Sequence, residues 1–136
     1  MDRFSGRTFL KLAGAAAGAI VFAPLGSVFA KAKKEGALVS VGTLESFTTG
    51  APVLVRKEGI RTPVIVFRQE GGVSVFSAKC THAGCTVAVD KSGTYSCPCH
   101  GSQFNFDGTV KKGPAKTSLE TLVVQVSETG EVLVGE

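Results

Sequence analysis

With 136 residues, 43% of them hydrophobic, the chain has the length and composition of one small domain plus a short appendage. Its formal net charge of +4 is unevenly placed: Arg3, Arg7, Lys11, Lys31, Lys33 and Lys34 crowd the first 34 residues, opposed there by Asp2 alone. From Lys33 onward 11 Lys/Arg face 10 Asp/Glu, a nearly neutral body that excludes nucleic-acid binding, which needs cations clustered on the folded domain.

The first predicted element is an apolar helix within residues 1–32. A basic head precedes an alanine- and glycine-rich run from Leu12 to Ala23, then Pro24 and small residues, with A-x-A-like cleavage sites ending at Ala30 and Ala32. Basic region, apolar region and small-residue exit are the order of an export signal. "SGRTFLK" (Ser5 to Lys11) resembles the twin-arginine signal, with Gly6 where the first arginine would stand; a general secretory signal is the alternative. Leu12 to Ala30 is also just long enough to be kept as a spanning anchor, so residues 9–30 would tie the chain to a membrane if uncleaved. Both outcomes place the body, residues 33–136, outside the cytoplasm, at the outer face of the cytoplasmic membrane or in the periplasm.

From Ala37 the pattern changes to short β-branched and aromatic runs bounded by turn residues. "ALVSVGTL", "APVLVRKEG", "TPVIVFRQEGG" and "VSVFSAKC" read as strands, with a hairpin at Gly71-Gly72. "TVAVDKSGTYSC" predicts two strands around an Asp-Lys-Ser-Gly turn, and "TLVVQVSETGEVLVGE" a closing hairpin around Thr129-Gly130. No segment after Ala32 has a helical period. The expected fold is all-β, a small antiparallel sandwich or barrel, and a domain this small gains from a covalent staple or a metal site.

All four cysteines and both histidines lie between Cys80 and His100. "CTHAGC" supplies Cys80, His82 and Cys85; "CPCHGS" supplies Cys97, Cys99 and His100. Six soft ligands in two short boxes signal a metal site, and a Cys₂His₂ set also suits structural zinc. Zinc would leave two cysteines without a role.

The boxes resemble the C-T-H-x-G-C and C-P-C-H-G-S signature of Rieske iron–sulfur proteins, and "KKGPAKTSL" (Lys111 to Leu119) resembles that family's proline loop. The resemblance covers roughly residues 37 to 136 and implies a Rieske-type fold with a cluster-binding subdomain. It implies one [2Fe-2S] cluster, with Cys80 and Cys97 on one iron and His82 and His100 on the other. Cys85 and Cys99 would form a disulfide between the loops, worth about 3 kcal/mol in the loop-entropy model, in keeping with an oxidising compartment. Two ferric ions, two sulfides, two thiolates and two neutral imidazoles sum to zero charge. A four-cysteine cluster carries two more negative charges and resists reduction, so His₂Cys₂ ligation raises the potential to roughly −150 to +300 mV. By the same resemblance Ser102 donates its hydroxyl to a bridging sulfide. Phe104 stands where high-potential members have a tyrosine bonded to a ligand sulfur. Ala83 stands where the respiratory members have a leucine near the cluster. Tyr95 reads as packing, and Thr81 has no assigned role.

The implied function is one-electron transfer, as a subunit of an oxidoreductase complex rather than a self-contained catalyst. An oxygenase needs a further mononuclear iron bound by histidines and a carboxylate, and both histidines are already taken. Two readings remain. One is the Rieske subunit of a quinol-oxidising cytochrome bc-type complex, with cytochrome subunits and quinol as partners. The other is a small exported electron-transfer subunit of another redox enzyme, as in arsenite oxidase.

Overall fold

The computed structural model describes residues 36–136. The predicted signal or anchor helix, the twin-arginine-like stretch, residues 9–30 and the boundary at residues 32 and 33 lie outside the described residues. Within them the chain forms ten strands and a single turn of 3₁₀-helix, with no α-helix and no helix long and apolar enough to cross a membrane.

The strands make three antiparallel sheets. The first is ordered β1-β10-β9, from Val39–Thr43, Glu131–Gly135 and Val123–Val126. The second is β2-β3-β4, from Val53–Val55, Val64–Gln69 and Gly72–Ser77. The third is β5-β6-β7-β8, from Ala88–Val89, Tyr95–Ser96, Gln103–Phe104 and Val110–Lys112. The C-terminal strand pairs with the first, Val39 opposite Val134, and the Glu136 carboxylate accepts the backbone N–H groups of Arg61 and Thr62.

β3 explains why the domain has two cores. Its residues Val64, Ile65, Val66 and Phe67 are all buried, as an unbroken apolar run demands. Successive side chains of a strand point to opposite faces. Ile65 packs with Phe76, Val87, Tyr95 and Phe104, whereas Val64 and Val66 pack with Val41, Phe47, Val75, Leu122, Val132 and Val134. The middle sheet is therefore shared by both cores, and each fully buried β3 side chain contributes about 1.5–3 kcal/mol of transfer free energy.

The predicted all-β class is present. The first hairpin turns one residue earlier than its Gly-Gly pair implies: Gln69 pairs with Gly72, whose φ of 148° suits glycine. The hairpin β7–β8 has no counterpart among the predicted strands, because two- and three-residue strands are too short to show a period.

Candidate metal centre

The third sheet sorts its connections by end. The turns after β5 and β7 lie at one end, and the segment before β5, the loop between β6 and β7 and the segment after β8 lie at the other. The second end receives "CTHAGC", "CPCHGS" and the proline loop. Topology alone brings together residues up to 37 positions apart, Cys80 to Thr117.

The two boxes fold into the same loop. In the first, the Cys80 N–H donates to the Cys85 carbonyl at 2.8 Å and the Gly84 N–H donates back to the Cys80 carbonyl at 2.9 Å. In the second, the Cys97 N–H donates to the Ser102 carbonyl at 2.8 Å and the Gly101 N–H to the Cys97 carbonyl at 3.0 Å. Each loop reverses at its fifth residue through a positive φ, +81° at Gly84 and +77° at Gly101, where a Cβ would meet the following carbonyl oxygen. A Cβ on Gly101 would touch no other atom within 4 Å, so its cost is purely conformational. Gly101→Ala is expected to cost about 1–2 kcal/mol and Gly101→Asn less, since asparagine visits this region readily; chemical denaturation of the two variants checks the order.

Cys80 and Cys97 are each 2% exposed and carry free thiols, and Cys85 is bonded to Cys99. His82 and His100 are exposed, their rings 4.9 Å apart and nearly perpendicular at 85°. The disulfide ties box to box, so the expected pairing is present. Each loop thus contributes one buried thiol and one exposed imidazole.

Burial raises the pKa of the Cys80 thiol. The His82 backbone, the Cys97 side chain, the Ala83 backbone and the Ser102 hydroxyl together outweigh it and hold the thiol below its ordinary value. Donors converging on a buried sulfur favour the thiolate, the form that binds metal. Ser102 is fully buried, and its oxygen accepts the Ala115 N–H at 2.9 Å, which leaves the hydroxyl proton free to point toward the sulfurs.

The third loop is fastened to both boxes. Ala115 bonds to Ser102 in the second, and the Thr81 hydroxyl of the first donates to the Thr117 carbonyl at 2.6 Å. Thr81 thus has a structural part that sequence reasoning missed. No periodicity marks an exposed threonine, and its partner is 36 residues away. Phe104 is fully buried in the core that contains Cys80 and Cys97, and its ring has no group to donate to a sulfur. Tyr95 packs as expected: its hydroxyl donates to the Phe106 carbonyl at 3.1 Å, and burial and then the Asp107 charge push its phenol up.

The donor set fits two metals better than one. Ligand atoms around a tetrahedral zinc, at bonds of about 2.0–2.3 Å, lie within about 4 Å of one another. Among the described residues, the potential ligand atoms gathered within 4.8 Å are the sulfurs of Cys85, Cys97 and Cys99. Two of those are consumed by the disulfide. Cys80, His82, Cys97 and His100 do not converge on such a point, which argues against the zinc alternative. Two thiols and two imidazoles are a donor set that a two-iron group would also take.

Residues 37–123 match the family described as the Rieske [2Fe-2S] domain. Among curated relatives, the cytochrome b6-f complex iron-sulfur subunit of Gloeobacter violaceus is 37% identical over 102 residues, covering 70% of this chain and 55% of that protein. The subunit of the same description from Prochlorococcus marinus (strain MIT 9215) is 32% identical over 135 residues, covering 89% of this chain and 76% of the relative. The chain thus spans about half the length of the first and three quarters of the second. Among solved structures, the plasma membrane Rieske protein PetC3 of Synechocystis PCC 6803 superposes with a TM-score of 0.59 at 36% identity, over 71% of this chain and 97% of that one.

Proposed function

The chain belongs to the Rieske [2Fe-2S] family, and from that premise we propose that it transfers single electrons as the Rieske subunit of a quinol-oxidising cytochrome bc-type complex. The bound cluster supplies a one-electron couple. Cys80 and Cys97 are proposed to hold its inner iron, and His82 and His100 its outer iron. The observation that carries the proposal is the layering of the site: buried thiols, exposed imidazoles, and a disulfide joining the loops that bear them.

Each residue has a definable task. The Cys80 and Cys97 sulfurs would anchor the inner side, where Ser102 and the backbone N–H groups of His82 and Ala83 favour negative charge on Cys80. Each imidazole coordinates through one ring nitrogen and keeps the other free as an N–H at the surface. That nitrogen could hold or release a proton as the electron inventory changes: deprotonated it would accept the hydrogen bond of a quinol O–H, and protonated it would donate to a quinone oxygen. The disulfide suits an oxidising compartment, in keeping with export by the twin-arginine route to the outer face of the cytoplasmic membrane or the periplasm.

Two features favour the second reading, a small exported electron-transfer subunit of another oxidoreductase. Ala83, exposed on the first box, offers little apolar surface for a quinol pocket. Phe104 cannot donate to a ligand sulfur, so more electron density stays on the thiolate and the oxidised state is favoured. Phe104→Tyr is expected to raise the midpoint potential. An anaerobic redox titration checks it, and an unchanged or lower potential contradicts the role given to Phe104.

Purification of the tagged full chain from its own membranes tests the choice of complex. Co-purifying b-type haem, seen in reduced-minus-oxidised spectra, supports the quinol-oxidising complex. Stoichiometric molybdenum without b-type haem supports the other.

A further inference from the structure

Three sulfurs crowd together where the two boxes meet. Those of Cys85, Cys97 and Cys99 all lie within 4.8 Å of one another, and two of them are joined in the bridge between the boxes. The third, on Cys97, is a free thiol and 2% exposed. Its other sulfur neighbour is Cys80, to which the Cys97 side chain is hydrogen-bonded. A nucleophilic thiol therefore faces a disulfide across a gap that a change of side-chain rotamer can close. Ligation to iron would occupy the Cys97 sulfur and hold it away from the bridge.

The two bridge sulfurs are not equivalent targets. Attack at Cys99 would close a ring across one intervening residue, Pro98, whose fixed φ leaves little freedom to bring the sulfurs together. Attack at Cys85 joins residues of different boxes and replaces one inter-box bridge by another. The sulfur that leaves is then that of Cys99, which is exposed, whereas Cys85 is half-buried. Water solvates the departing thiolate, and the new bridge, which has no polar hydrogen, takes the buried position.

We propose that Cys97 is the nucleophile of an internal thiol–disulfide exchange that locks the chain once iron is lost. The Cys97 sulfur, its proton passed to water, forms a bond to the Cys85 sulfur as the Cys85–Cys99 bond breaks. Cys99 departs as a thiolate and is reprotonated from water. One disulfide is exchanged for another, so no oxidant or reductant is consumed. The boxes stay joined, but one inner anchor is tied up in the bridge and an exposed thiol stands at Cys99, open to modification. Three of the four proposed ligands then remain, and metal is refused until a thiol reductant restores Cys97. The inference rests on the reading of Cys97 as an iron ligand.

The test strips iron anaerobically from the full chain with a chelator, then samples the chain over the minutes to hours that uncatalysed disulfide rearrangement takes. Each sample is acid-quenched, unfolded and labelled with N-ethylmaleimide. Fragmentation of the peptide that spans Cys97 and Cys99 tells which of the two carries the label. Labelling should begin on Cys97 and end at least about tenfold higher on Cys99, with a Cys85–Cys97 bridge in the non-reduced digest. A Cys80→Ser variant, which lacks an inner anchor but keeps the nucleophile, should be isolated with the Cys85–Cys97 bridge, and Cys97→Ser with Cys85–Cys99. Should Cys80→Ser not fold, the time course on the unaltered chain decides. A Cys85–Cys99 bridge that persists with the label on Cys97 overturns the exchange, and so does a Cys80–Cys97 bridge. Iron content separates the two failures. Two irons per chain in Cys97→Ser overturn the ligand reading and the lock with it, whereas an iron-free Cys97→Ser beside an unmoved bridge in the stripped chain overturns the exchange alone.

Discussion

A Cys97→Ser variant is expected to fold with its Cys85–Cys99 disulfide intact and to contain no iron–sulfur cluster. The fold should survive because the loop is shaped by backbone: the Cys97 N–H to Ser102 and the Gly101 N–H back to Cys97 do not involve the side chain. Serine is also nearly isosteric, so the buried position loses little packing. The metal should not survive the change. A hydroxyl is a harder, less acidic donor than a thiol, and removing one inner anchor leaves a single sulfur against two outer nitrogens. Iron and acid-labile sulfide should fall to background while the disulfide remains detectable by mass spectrometry. A variant that kept two irons per chain would remove Cys97 from the ligand set.

The second large effect is expected from the disulfide. Cys85→Ala/Cys99→Ala releases a bridge with a sequence separation of 14, worth about 3 kcal/mol in the loop-entropy model. In a domain of this size that corresponds to a fall of roughly 10–20 °C in the temperature at which the cluster bleaches. The double variant is the clean one. A single substitution would leave a free thiol within 4.8 Å of the Cys97 sulfur, close enough for mispairing. An unchanged bleaching temperature would mean that the clamps at Thr81–Thr117 and Ser102–Ala115 hold the boxes together without the bridge.

Much of the fold and of the site is legible in the sequence. The strand β3 shows as an unbroken apolar run, and the β9–β10 hairpin as alternation around Thr129-Gly130. The boxes show as six soft ligands within a short window. The shared loop geometry is visible too, since both boxes place a glycine four residues after their first cysteine. What stayed hidden depends on contacts between distant segments. Thr81 finds Thr117, Ser102 finds Ala115, and β7 and β8 pair as strands too short to signal themselves. Phe104 stands out in the sequence, but only the structure places it fully buried in the core that holds Cys80 and Cys97.

Two cysteines and two histidines of this chain are proposed to hold one two-iron cluster. The most direct test is electron paramagnetic resonance of the dithionite-reduced full chain, with nitrogen couplings resolved by electron–nuclear double resonance in ¹⁵N-histidine-labelled protein. Antiferromagnetic coupling of one ferric and one ferrous ion leaves a single unpaired spin. The expected result is therefore a spin-half signal with an average g below the free-electron value, coupled to two imidazole nitrogens. Loss of one coupling should follow from substituting His82 or His100. A signal without nitrogen coupling, or an EPR-silent chain containing zinc, would contradict the assignment.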